Sequence, residues 1–253
     1  SFSKLGERRA VLSDLAPIAT NIARNYNIVS DVAEQVLDAY RILDEVMKDF
    51  AWIYATKDND RLTGQIKYTV WSDVFICPEC THEINFFNEA YSLIEESVLN
   101  KFSCPNCGAN LSKDNLEHKQ ESYFDPILRK VSSRNKVVPA QINYIVGKTR
   151  RVKAPDADDL IVLSKIEEII LSEEIDTFPM MFKGGENWAA IWRSGYHFGV
   201  THVHHFYTLR NYLVINKLWK AANSNIVLRW AITATLNYLN KKQSFTGGGG
   251  GMP

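Results

Sequence analysis

The chain has 253 residues, 45% of them hydrophobic and 23% charged, and its 29 basic and 29 acidic side chains balance. That is the composition of an ordinary globular protein, long enough for one large domain or two small ones. No apolar run reaches the length needed to cross a bilayer, so a membrane-spanning role is not expected.

The neutral total hides a segregation of charge. Residues 31–60 carry eight acids and three bases, and residues 154–187 carry nine acids and two bases. Residues 117–153 carry nine bases and three acids, and residues 188–246 carry seven Lys or Arg, four His and no acid. Two readings fit. The basic segments share a face suited to a polyanion, or they pair with the acidic helices.

Taken in order, Arg9–Ser13 reads as a short buried strand with Asp14 at its end and a helix from about Pro17. An acid at such a strand end in an α/β cofactor fold takes a ribose hydroxyl pair; otherwise it caps the next helix. Asp31 and Glu34 open a helix that runs to about Tyr54. Val36, Leu37, Tyr40, Leu43, Met47 and Phe50 form its apolar stripe, expected to be core. Residues 59–64 are a polar loop, and Ile66–Cys77 is strand-like.

Cys77-Pro-Glu-Cys80 and Cys104-Pro-Asn-Cys107-Gly108 are separated by 23 residues and hold all four cysteines. Each Cys-Pro-x-Cys turn aims two thiolates at one point, and two such turns close a four-sulfur site that suits structural Zn(II). Thiols set as metal ligands point to a reducing, cytoplasmic compartment; redox or disulfide use is the weaker reading. Gly108 supplies a left-handed residue after the second turn, and Thr81 stands there in the first. Ile84–Phe87 and Val98–Phe102 are the expected ribbon strands. A closed site of this kind performs no chemistry and leaves the activity open.

Residues 112–135 have no clear pattern. Val137–Val146 is a strand, Gly147-Lys148 a hairpin turn, and 149–153 the returning strand. The tip carries Lys148, Arg150, Arg151 and Lys153, either entering a nucleic-acid groove or standing in solvent. Pro155-Asp156 opens an acidic helix with Leu160, Leu163, Ile166 and Ile170 inward. Residues 178–192 are loop-rich. His202, His204 and His205 are read as a second metal site, as base or phosphate contacts, or as packed imidazoles. Alternation on a strand would put His202 and His204 together, with no acid nearby to complete a hydrolytic centre. Thr208 caps a helix over 209–222, and a last, buried helix spans about 225–240. The glycines at 247–251 make a flexible linker.

Three stretches carry a resemblance. Arg8–Ala23 (RRAVLSDLAPIATNIA), Tyr68–Cys80 (YTVWSDVFICPEC) and Gly199–Arg210 (GVTHVHHFYTLR) look like parts of zinc-ribbon-containing, site-specific DNA methyltransferases that methylate an exocyclic amine of adenine or cytosine. The resemblance implies that Asp14 matches the acid on the ribose of S-adenosylmethionine. The family's glycine loop would precede Ser1 and its Asp-Pro-Pro-Tyr motif would follow Pro253, so this chain is expected to be a piece of a longer enzyme, inactive alone. The implied organisation is a partial strand–helix unit at 1–58, a DNA target-recognition region at 59–246 containing a ribbon at 72–116, and a linker at 247–253. The expected fold class is α+β, a four-cysteine zinc ribbon inserted in a mixed helix/strand domain with a short Rossmann-like piece at the N-terminus. The expected partners are double-stranded DNA and the remaining catalytic part of the parent. Lys148, Arg150, Arg151, Lys153, His202, His204, His205 and Arg210 are the expected DNA contacts, with Tyr207 or Trp192 stacking on a displaced base. The competing reading is a protein–protein docking module without DNA contact.

Overall fold

The computed structural model describes residues 11, 13–15, 17–27, 31–58, 61–92, 94–95, 97–180 and 198–241. Most of the expected strand at 9–13, most of the loop-rich stretch at 178–192 with Trp192, and the linker at 247–253 lie outside them. Val11 and Ser13 are described, exposed and not in a strand.

Two helices come first, α1 (Pro17–Asn27) and α2 (Val32–Phe50). The Asp31 side chain caps α2 by accepting from Glu34 N. The apolar stripe is narrower than its spacing predicts. Leu37 and Tyr40 stand 71% and 64% exposed, because α2 packs through Ala39, Ile42, Leu43 and Val46 instead. Small and branched side chains there admit close approach to two C-terminal helices, α5 (Leu209–Ala222) and α6 (Ile226–Leu239). Gln35 on α2 caps α6 directly, its Oε1 accepting from Ile226 N and Val227 N.

Between these helical ends lies a curled sheet. Strands β1 (Ala55–Lys57) and β11 (Val137–Val146) flank the long β2 (Thr63–Ile76), and β12 (Thr149–Lys153) pairs with β11; all pairings are antiparallel. The far end of β2 also pairs with β3 (Glu83–Asn85) and β8 (Glu117–His118). Ile66, Ile142 and Tyr144 point to the inner face, where α4 (Ala157–Ser172) lies against it. Asp156 and Asp159 form the capping box that starts α4. Of the four residues expected inward, Ile166 and Ile170 are buried, whereas Leu160 is half exposed. Ile166 and Ile170 join Ile53, Tyr212 and Leu213 in one core cluster.

The register of β2 against β11 shifts once at its N-terminal half. Tyr144 faces Ile66 and Asn143 faces Tyr68, leaving Lys67 as an extra residue. A bulge of this type turns two consecutive side chains to one face. Ile66 and Thr69 therefore face inward while Lys67 and Tyr68 both face outward.

The cysteine-bearing region from Cys77 to Leu111 folds on the end of β2 with its own core of Phe75, Ile84, Phe102 and Leu111. Its strands are shorter than expected. A five-residue helix, α3 (Phe86–Ala90), replaces the end of the first, followed by β4 (Tyr91–Ser92), β5 (Ser97–Val98), β6 (Phe102–Ser103) and β7 (Asn110–Leu111). The Phe87 N–H donates to Ser72 Oγ on the outer face of β2, seating α3 there. The patternless stretch resolves as a hairpin of β9 (Gln120–Asp125) and β10 (Lys130–Asn135). Its alternation is polar on both faces, which is why no apolar period marks it. The expected mixed helix/strand class with a four-cysteine module is what the structure has; a Rossmann-like piece is not among the described residues.

Candidate metal centre and exposed sheet face

The two cysteine turns are built alike. Thr81 N donates to Cys77 O and Gly108 N to Cys104 O, both at 2.9 Å. Each closing residue has positive φ, +58° at Thr81 and +74° at Gly108. Thr81 thus takes the left-handed conformation that its branched side chain disfavours, at a cost of about 1–3 kcal/mol. Cys77 Sγ lies 3.8 Å from Cys107 Sγ, and Cys80 Sγ lies 3.7 Å from Cys104 Sγ. A tetrahedron with metal–sulfur bonds of ~2.3 Å has edges of about 3.8 Å, so these four thiols can hold one metal ion. The Asn106 side chain and the His82 backbone N–H hold the Cys80 thiol down to about 6, while, against the Ala109 backbone N–H, burial and the neighbouring thiols push Cys107 up to about 12.

A second cluster sits between the β9–β10 hairpin and the histidine segment. Val203–Phe206 is a 3-10 turn, not a strand, so His204 and His205 both turn inward and His202 stays half-buried. They meet Asp125, the acid that the 188–246 segment lacks. Asp125 Oδ2 accepts from His204 Nε2 at 3.0 Å and His205 Nε2 at 2.8 Å. Asp125 Oδ1 accepts from Ile127 N and Leu128 N, both at 3.0 Å. His205 Nδ1 accepts from Thr201 N and His202 N, so its proton sits on Nε2. Burial raises the Asp125 carboxyl, but the two imidazoles and the Leu128 N–H outweigh it and hold the group well below the usual carboxylate range. Burial keeps His205 below the ordinary imidazole value.

These three residues do not fit a second metal. A tetrahedral N/O site with bonds of ~2.05 Å needs edges of about 3.3 Å, and the contacts here are shorter. A metal on His205 Nε2 would also require a proton on Nδ1, which already accepts two backbone N–H groups. The cluster is a buried hydrogen-bonded lock. Gly199 fastens it further: its φ is +81°, and a Cβ there would stand 2.0 Å from Ser133 O on the hairpin.

The expected DNA contacts divide. Lys148 and Arg150 are exposed. Arg151 turns to the inner face and pairs with the buried Asp58. Lys153, with a 10% exposed side chain, is held by Asp156 at 2.6 Å and Asp159 at 2.8 Å. Arg210 is 8% exposed, with its guanidinium 5.8 Å from the Tyr54 ring, so it offers no surface to a groove. His204 and His205 are committed to Asp125. Tyr207 is half-buried, and Asp14 is exposed ahead of α1 rather than at the end of a described strand.

Arg150 apart, sequence reasoning missed the residues that share an open face. Across the outer side of the sheet run two rows, Gln65–Ile145–Arg150 and Tyr68–Asn143–Val152. Lys67 joins them, its Nζ donating to Gln65 Oε1 at 3.2 Å. Tyr68 is 47% exposed, and no acid lies in either row. No sequence signal marked this face: Ile66-Lys67-Tyr68-Thr69-Val70 alternates apolar and polar without a break, and only the bulge turns Tyr68 outward. Among the described residues, no helix is long and apolar enough to cross a membrane. The chain matches no protein-family model, no curated protein and no solved structure.

Proposed function

We propose that the chain is the DNA-recognition portion of a site-specific, amino-methylating DNA methyltransferase, with a structural Zn(II) in its four-cysteine group. The observation that carries the DNA-binding reading is the outer sheet face. Lys67, Arg150 and, at the adjoining turn, Lys148 supply phosphate contacts. Tyr68 between them offers a ring on which a base can stack, and Gln65 and Asn143 offer amide donors and acceptors. The methyltransferase assignment rests on the sequence resemblance. S-adenosylmethionine and the catalytic motif belong to the rest of the parent enzyme, and this chain alone transfers no methyl group.

The test is fluorescence anisotropy of a labelled duplex across a salt series. Binding should weaken steeply with salt, and Lys67→Ala and Arg150→Ala should each reduce the salt slope by about one. Absence of binding by zinc-loaded, folded protein at low salt would overturn the reading.

One observation favours a docking role for the ribbon itself. Residues 72–116 carry seven acids and two bases, and a zinc tetrathiolate adds further negative charge. That module repels a phosphate backbone and suits a basic protein surface, such as one on the catalytic part. The two roles occupy different parts of the chain, so both can hold.

A further inference from the structure

Strand β12 ends the sheet. It pairs with β11 along one edge, and among the described residues no strand pairs with the other. The two-residue turn at Gly147-Lys148 makes Val146 and Thr149 a hydrogen-bonded pair, and such pairs alternate along an antiparallel ladder. Thr149, Arg151 and Lys153 therefore turn their backbone groups toward β11, whereas Arg150 and Val152 turn theirs away from it. Among the described residues, no backbone hydrogen bond reaches these outward N–H and C=O groups. Arg150 is exposed and Val152 is 56% exposed, so the edge opens to solvent.

An open edge is a template for another strand, and its charges decide which strand fits. Residues 148–153 hold four bases and no acid. Arg151 and Lys153 are neutralised from the inner face, by Asp58 and by Asp156 and Asp159. Lys148 and Arg150 are exposed and form no ion pair among the described residues. A second copy of β12 would set these two against like charges, which disfavours self-pairing. An acidic strand meets the opposite sign and satisfies the outward backbone groups at the same time.

We propose that the free edge of β12 is a docking site for an extended acidic segment of a partner protein, added antiparallel as the next strand. The register fixes the chemistry of that segment. Directly opposed residues share a face, so the residue across from Arg150 carries a carboxylate and the one across from Val152 an apolar side chain. The added strand runs opposite to β12, so its sequence reads apolar-x-acid. The proposal does not rest on the DNA reading, because it uses the backbone edge of the sheet rather than the outer face. The two share only Lys148 and Arg150.

The test titrates zinc-loaded, isotope-labelled protein at constant ionic strength with a blocked hexapeptide, Thr-Val-Thr-Glu-Thr-Ser, with the same peptide carrying Lys in place of Glu, and with a short DNA duplex. Amide hydrogen exchange is read residue by residue by NMR. When the acidic peptide fills about nine-tenths of the sites, exchange at the Arg150 and Val152 amides should slow about tenfold. The Thr149 and Arg151 amides, already turned to β11, should keep their rates. Arg150→Glu should reverse the preference, so that the lysine peptide protects the edge better than the acidic one. The proposal is overturned if neither amide slows, if the two peptides bind alike, or if the duplex protects these amides and the acidic peptide does not.

Discussion

Asp125 and His205 are 80 positions apart and meet at 2.8 Å, with His204 on the same carboxylate oxygen. This junction ties the β9–β10 hairpin to the segment leading into α5. Asp125→Asn leaves one amide where a carboxylate took two imidazole donors and two backbone donors. The expected loss is about 3–5 kcal/mol in denaturant unfolding. Zinc content should not change, because the cysteine module has a separate core.

Acid should weaken the same junction. Asp125 and His205 both have folded-state values below their unfolded ones. The native state then binds fewer protons, so stability is complete above the unfolded values and falls with pH below them. His205 brings a decline starting near pH ~6.5, and Asp125 a second one below about pH 4. Melting temperatures measured across that range check the sign. The lower limb should flatten in Asp125→Asn.

Gly199→Ala meets a backbone carbonyl that cannot move aside cheaply. The substitution should cost about 2–4 kcal/mol. Proteolysis should then open the 198–206 segment first, whereas Gly147→Ala, whose Cβ would meet nothing, should cost only the strain of its left-handed backbone.

Metal removal should act locally. A chelator is expected to release one zinc per chain and unfold the module from Cys77 to Leu111, since comparable small zinc modules draw an apparent ~10–16 kcal/mol from the ion. The helical clusters around Leu213 and Ile42 should stay folded. Hydrogen exchange read by region separates the two responses, and cobalt substitution should show a tetrathiolate spectrum.

Arg150 and Arg151 are adjacent and should behave oppositely. Arg150→Ala should lower DNA affinity and leave Tm near the parent value. Arg151→Ala leaves the buried Asp58 without its cation, so its main effect should be on stability.

Much of the fold was legible because local rules were strong. The cysteine turns, the Gly147 hairpin and the caps at Asp31, Asp156 and Thr208 each follow from short-range chemistry. The core face of α2 was misread because Leu37 and Tyr40 outweigh Ala39 in hydrophobicity, while close packing against α5 and α6 favours the smaller residue. The partner of the histidine cluster was not legible because its acid comes from a distant hairpin with no apolar period. Basic residues are equally opaque in sequence. Nothing local tells Arg150 from Arg151 until the register of β12 assigns them to opposite faces.

The extra residue in β2 gives the strand one place where chain length can change without loss of phase. Replacing Lys67 and Tyr68 together would strip the outer face of one cation and its ring while leaving the strand in phase. Deleting Lys67 alone would remove the bulge and join Ile66, still opposite Tyr144, to Tyr68, still opposite Asn143, in one regular ladder. Gly64 and Ile66 would keep facing inward and Gln65 outward. A single missing codon there should therefore do less harm than one in a regular stretch of the strand, where the same loss turns a run of side chains to the wrong face.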